Sequence, residues 1–307
     1  MIFIDPKTDF AFKKIFGSEQ SHAILISFLN GVLYEGQDTI QDLEILNPYL
    51  APKIRGVKNT YLDIKAQLNT GEMVIIEMQV LNVEGFEKRI LYNAAKAYST
   101  QLNIGQDYPL LNPVIALTIT DFVMFPDLDT ITSRFILKEK DYLVDYPVYD
   151  LELVFVELPK FQQPLENLQT LTDKWIFFLQ HARDLRTVPT TMGNIPEIQQ
   201  AFEIANQANL SAEELEELEH QMIFIQDQRG AITKATRQGI QQGIQQGIQQ
   251  GIQQGIQQGI QATQIEIARR LFGTLADDAI AQITGLSLPE IQTLRQQEDP
   301  NPGESVS

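Results

Sequence analysis

Between Tyr61 and Val80 the chain alternates polar and apolar residues twice, once on each side of Asn69-Thr70-Gly71. Successive side chains of a strand point to opposite faces, so Leu62, Ile64, Ala66 and Leu68 share one face while Asp63, Lys65 and Gln67 share the other. Met73 to Val80 repeats the pattern, with Val74, Ile76, Met78 and Val80 opposed to Glu77 and Gln79. The intervening residues supply turn chemistry, and the whole segment is expected to form an antiparallel hairpin. With the turn centred on Thr70, paired residue numbers sum to about 140, which sets Asp63 opposite Glu77 and Tyr61 opposite Gln79. Directly opposed residues have Cβ atoms about 4.5 to 5.5 Å apart, where like charges repel unless a cation lies between them. A divalent metal meets that need: Mg²⁺ is commonly held by one or two carboxylates, with water and substrate phosphate completing its octahedron. The blander reading makes Asp63 and Glu77 solvent-face residues of an exposed hairpin beside Lys65 and Glu72. Spacing alone leaves both readings open.

Around the hairpin the pattern is mixed α/β. A helix ending near Phe16 is expected from Phe10, Phe12, Ile15 and Phe16, with Asp5-Pro6 as cap and first-turn proline. A second helix follows over Ala23 to Leu33, then a short strand over Leu43 to Leu46 closed by Asn47-Pro48. From Glu84 to Asn103 the apolar residues Phe86, Ile90, Leu91, Ala94, Ala97, Tyr98 and Leu102 recur at helical intervals, and Gly105 is a stop signal. Pro113 to Ile119 reads as a buried strand, parallel to Met73–Val80 across that helix by the crossover rule. Another strand is expected over Leu153 to Leu158. The reading is an α/β core over residues 1–159 and a helical extension over 160–238, whose last segment opens with a capping box at Ser211-Ala212-Glu213-Glu214.

Residues 239–261 repeat Gly-Ile-Gln-Gln without variation, with glycines from Gly239 to Gly259. As a helix, a period of four exceeds 3.6, so the isoleucine stripe winds around the axis and favours a right-handed supercoil with a partner, a coiled coil of sorts. Against a lone helix, six glycines cost roughly 6 kcal/mol relative to alanine. Self-association or a flexible spacer resolves this, and expansion of the repeat in the gene with little selection on function is a further reading. Residues 262–298 then hold short helices around Thr284-Gly285-Leu286-Ser287, the outline of a helix-turn-helix. Its acids Asp277, Asp278, Glu290 and Glu298 nearly match Arg269, Arg270 and Arg295, which favours a small packing bundle over a DNA reader. Residues 299–307 read as a disordered tail.

Composition narrows the chemistry. The absence of cysteine excludes disulfides and thiolate metal sites, and the three histidines lie far apart without ligand spacing. No apolar run reaches eighteen residues, so no transmembrane helix is expected, and the N-terminus lacks a secretion signal, which leaves a cytoplasmic location as the expectation. The net charge of −17 speaks at first against nucleic acid. Its distribution softens that objection, because residues 1–100 hold 10 Lys+Arg against 12 Asp+Glu while the remainder holds 13 against 28. Lys7, Lys13, Lys14, Lys53, Arg55, Lys58, Lys65, Lys88, Arg89 and Lys96 form either a local basic face or a solvated mixed surface.

The run from Asp9 to Gly17 (Asp-Phe-Ala-Phe-Lys-Lys-Ile-Phe-Gly), Phe28-Leu29-Asn30, Leu62-Asp63-Ile64-Lys65 and Ile76-Glu77-Met78-Gln79 resembles the recombination-promoting nuclease and transposase family of the PD-(D/E)xK superfamily. Arg89, Tyr92, Gln101 and Gly105-Gln106-Asp107-Tyr108 before Pro113-Val114 continue the likeness, which covers about residues 1–230. The resemblance implies a restriction-endonuclease-like α/β core and Mg²⁺-dependent cleavage of DNA that promotes recombination. It assigns Asp63 and Glu77 to the metal-binding acidic pair and puts Gln79 where the wider superfamily has lysine. Glutamine orients water or metal by hydrogen bonds but does not stabilise developing negative charge as lysine does. Gln is common there in this family. Lys65 lies on the right face to supply a cation, Asp9 and Lys13 lie one turn apart on the first helix, and Arg89, Tyr92 and Lys96 follow at helical spacing to meet phosphates. A surface i, i+4 pair explains Asp9 and Lys13 equally well. The competing expectation is a catalytically decayed nuclease fold that self-associates through its repeat. A third rests only on a likeness of the glycine repeat to that of a flagellar export-apparatus protein.

Overall fold

The structure, a computed structural model, describes residues 1–50, 60–103 and 105–298. Lys53, Arg55 and Lys58 of the expected basic face, and the tail 299–307, lie outside the described residues. The chain divides into two compact units, residues 1–230 and 231–307.

The first unit opens with α1 (Asp9–Phe16), whose cap differs from the expectation. Thr8, not Asp5, is the N-cap, its hydroxyl accepting from the Ala11 amide at 3.3 Å. Asp5 instead closes a turn, its carboxylate taking the Lys7 amide and its carbonyl the Thr8 amide, each at 3.1 Å. Both are good capping residues, and the one adjoining the first helical residue can reach the third amide of the helix. Next come α2 (His22–Tyr34), β1 (Leu43–Leu46), β2 (Tyr49–Leu50), β3 (Thr60–Tyr61), β4 (Ile64–Leu68), β5 (Met73–Gln79), α3 (Phe86–Ser99), β6 (Val114–Thr120), β7 (Thr132–Phe135) and β8 (Leu151–Glu157). The helices α4 (Leu171–His181), α5 (Thr190–Gly193), α6 (Pro196–Ala205) and α7 (Ala212–Leu271) complete the order.

Six strands form one sheet in the order β1-β4-β5-β6-β8-β7. β5, β6 and β8 are parallel, as the α3 crossover requires, and the outer pairings are antiparallel. On one face Ile64, Ala66, Val74, Ile76, Met78, Leu117, Ile119, Val154 and Val156 pack under α1, α2, α4 and α6. At the centre of that layer Phe16, Phe28, Trp175, Phe178 and Phe202 bury their rings against one another. On the other face Met73, Ile75, Val114 and Ala116 pack against Ala94 and Ala97 of α3, while Phe86 and Ile90 meet Phe155. A mixed sheet with helices on both faces is the restriction-endonuclease-like α/β arrangement.

The hairpin register follows the sequence arithmetic over Ile64↔Ile76, Lys65↔Ile75, Ala66↔Val74 and Gln67↔Met73. It then stops one residue short of Asp63, which sits in a bend. The Leu62 amide is drawn to the Pro48 carbonyl at 3.2 Å, and Tyr61 pairs with Tyr49 in a separate two-stranded sheet instead of with Gln79. Asp63 and Glu77 are therefore not ladder partners, because chain beyond the hairpin pulls the first strand away.

In the second unit, α8 (Asp277–Thr284) and α9 (Leu288–Glu298) pack on the last turns of α7 through Ala268, Ile280, Leu286 and Ile291. Gly285 ends α8 with φ 76, a left-handed cap that glycine adopts without strain, and Arg295 meets Asp277 at 2.6 Å. The Gly-Ile-Gln-Gln repeat lies inside α7, with Ile240, Ile244, Ile248, Ile252 and Ile256 each 58% exposed. Among the described residues no helix is long and apolar enough to cross a membrane.

Candidate active site

The face of β5 that meets α3 changes character along the strand. Met73 and Ile75 are core, whereas Glu77 and Gln79 occupy its carboxyl end, in register with Thr118 and Thr120 of parallel β6. The carboxyl ends of parallel strands are where open α/β sheets generally bind ligands.

Glu77 is nearly buried, its side chain 11% exposed. Its Oε1 accepts a short hydrogen bond from Nδ2 of Asn93, and its Oε2 lies 3.7 Å from Nη2 of Arg89. Burial pushes the Glu77 carboxyl above its ordinary value, with Arg89 and then Asn93 opposing. Arg89 and Asn93 are four residues apart on α3 and so face the sheet together. Arg89 also donates to Oε1 of Gln79 at 2.6 Å and covers the Phe86 ring at 5.1 Å. The other end of the Gln79 amide donates to the Leu81 carbonyl at 2.6 Å, so both ends of that side chain are fixed.

Asp63 reaches the site from the bend before β4. Its Oδ2 accepts from the Met78 amide at 2.7 Å, occupying the backbone position that the ladder leaves open. Its Oδ1 lies 3.6 Å from Nζ of Lys13, which itself pairs with Asp9 at 2.6 Å. The Asp63 carboxyl is pushed up to about 7, chiefly by burial. The Met78 amide opposes that shift, the carboxylate of Asp9 adds to it, and Lys13 offsets it in part. Burial works against the charge on Lys13, yet Asp9 and Asp63 hold its pKa above the ordinary value.

The structure thus forms two clusters, Asp9, Lys13 and Asp63 on the α1 side and Glu77, Gln79 and Arg89 on the α3 side, linked through the Asp63–Met78 hydrogen bond. Lys65 is half-buried on the α3 face, its pKa lowered by burial, and pairs with neither carboxylate. Tyr92 is 40% exposed, with the Lys96 ammonium 5.8 Å from its ring centre. It lies one position before Asn93, about 100° around the helix, and turns away from Glu77. Asn93 was missed by the sequence reading. The signal was available: a residue of modest helix propensity stands among Ile90, Ala94 and Ala97 on the buried stripe of α3.

Each acid has one oxygen engaged by a short donor and the other loosely held, with a cation at 3.6 and 3.7 Å, beyond hydrogen-bond length, and Asp63 has the Asp9 carboxyl beside it as well. Among the described residues no three His, Cys, Asp or Glu side chains converge as a ligand set. A family model described as PD-(D/E)XK nuclease family transposase matches residues 6–235. No curated protein and no solved structure matches the chain. The family match takes in α1, the strand break at Asp63, the carboxyl end of β5 and α3, and by it the chain belongs to the PD-(D/E)XK nuclease family transposases.

Proposed function

We propose that this chain hydrolyses phosphodiester bonds of DNA in a Mg²⁺-dependent reaction that promotes recombination, with Asp63 and Glu77 as the metal-binding acids. The observation that carries the reading is the pair of carboxylate oxygens, Asp63 Oδ1 and Glu77 Oε2, that stand 3.6 and 3.7 Å from a cation at the carboxyl end of the sheet. Hard carboxylate oxygens suit a divalent cation of this kind, and two of them are the number Mg²⁺ commonly takes from protein. The raised carboxyl of Asp63 supports it as well, since burial and the Asp9 carboxylate outweigh the positive charge that Lys13 supplies. When bound, the metal supplies an acidified water and neutralises charge on phosphorus.

The protein groups have separable tasks. Asn93 and the Met78 amide fix the two acids by one oxygen each. Gln79, held at both ends, orients water or phosphate oxygen through its amide. The positive charge that a lysine would bring to that position comes instead from Arg89 on one side and Lys13 on the other, both placed to meet a DNA phosphate. Plasmid nicking with Mg²⁺ tests the assignment. The wild type is expected to nick, and Asp63→Ala and Glu77→Ala to fall by at least about a hundredfold. Equal residual activity in all three proteins would sink the site.

A second reading has its own observation: Lys13 and Arg89 already give each acid a cation, as in a nuclease fold kept for assembly. Under it the chain is inactive and associates through residues 239–261, where isoleucines are exposed and glycines permit close approach. Deleting residues 239–261 from the full chain is then expected to lower the mass measured by light scattering. An unchanged mass together with Mg²⁺-dependent nicking by the parent would discard this reading.

A further inference from the structure

Asn93 is 1% exposed on the face of α3 that meets the carboxyl end of β5. Its Nδ2 donates to Oε1 of Glu77, which fixes the orientation of the amide, because a carboxylate oxygen accepts only from the nitrogen end. The oxygen end, Oδ1, is then buried with no hydrogen-bond partner. Buried polar atoms are paired in the great majority of cases, and one left unpaired costs about 1–3 kcal/mol. Arg89, one turn earlier on the same face of α3, is engaged by Gln79 and Glu77. The unpaired oxygen therefore lies beside the acid whose other oxygen, Oε2, lacks a close donor, and it calls for a donor brought by a ligand.

We propose that Asn93 is a positioning residue: its Nδ2 holds the Glu77 carboxylate so that Oε2 is left for a divalent cation, and its Oδ1 accepts a hydrogen bond from water bound to that cation. This rests on the metal-binding reading of Glu77 given above. One amide thereby serves the ligand and the water around it. Partners of this kind typically change metal affinity or activity by 10- to 100-fold.

The test is binding of Mn²⁺, as a stand-in for Mg²⁺, to the full chain, read by the paramagnetic resonance of free Mn²⁺ at fixed pH. Asn93→Leu keeps the shape of the side chain and removes both polar ends, a replacement that leaves no orphan atom on residue 93. It is expected to retain the fold and to bind Mn²⁺ about ten- to a hundredfold more weakly than the parent, while Glu77→Gln abolishes binding at the site. Should Asn93→Leu not fold, Asn93→Ser carries the same expectation. If an Asn93 variant folds and binds as tightly as the parent while Glu77→Gln does not bind, the role of Asn93 is overturned and the acidic site stands. If the parent fails to bind, or Glu77→Gln binds unchanged, the metal-binding reading falls and this proposal with it.

Discussion

At pH 8 the Asp63→Asn chain is expected to be more stable than the parent, by on the order of 2–4 kcal/mol, with the difference shrinking to near zero at pH 4. Burial, and the neighbouring carboxylate of Asp9, raise the Asp63 carboxyl from 3.8 in the free residue to about 7. A raised carboxyl means that the folded chain binds more protons than the unfolded one between those values, so its contribution to stability falls as pH rises from about 4 to about 7. Asparagine still accepts from the Met78 amide and has no charge to bury. Urea unfolding of both chains across pH 4 to 8 reads the effect of Asp63 with its immediate partners Asp9 and Lys13, since titrations remote from that cluster are common to the pair. Parallel curves would show that Asp63 does not titrate as described. Millimolar Mg²⁺ at pH 8 is expected to raise the stability of the parent and not that of the variant, because only a ligand of the folded state with its acid intact shifts the balance.

Trp175→Ala is expected to cost about 3–5 kcal/mol and to lower the melting temperature by roughly 6 to 20 °C. The ring is fully buried between α2 and α4, with centroids 5.7 Å from Phe16, 5.8 Å from Phe28 and 5.8 Å from Phe178. Its Nε1 donates to the Ser27 hydroxyl at 3.2 Å, and Gly31 leaves room for it, since a Cβ there would stand 3.2 Å from Cδ1. Close-packed neighbours collapse only partly into such a void, so the truncation loses contacts as well as burial. Trp175→Phe retains most of the ring area and is expected to lose much less. A melting temperature for Trp175→Ala within a few degrees of the parent would show that α4 is not part of the cooperative core.

Local patterning made much of this fold readable. The four β4–β5 pairs, the parallel placement of β6 and the amphipathic stripe of α3 all follow from alternation, helical periodicity and handedness, which are properties of neighbouring residues. Features set by distant chain were not readable. Leu62 and Ile64 carry the alternation straight through Asp63, and only the Pro48 carbonyl and the Tyr49 pairing show why the strand breaks there. Thr8 and Asp5 are both competent caps, and the choice between them depends on the turn that Asp5 closes. β7, Thr132–Phe135, is a short edge strand that gains its identity by pairing with β8. Around the candidate site, Arg89 was legible as a cation near the acids, whereas Tyr92 and Asn93 differ by one position and end on different faces of the same helix.

The break at Asp63 means that one rung of the sheet is a side chain. Where a backbone carbonyl would close the ladder at Met78, the acceptor is an oxygen whose charge can change. A carboxylate grips an amide more firmly than its protonated form does, so the tightness of the end of β5 follows the ionisation of Asp63. Any cation that keeps that acid charged also cinches the strand that carries Glu77 and Gln79. Occupancy of the site and order at the sheet's end are then a single equilibrium seen from its two sides, each able to pull the other.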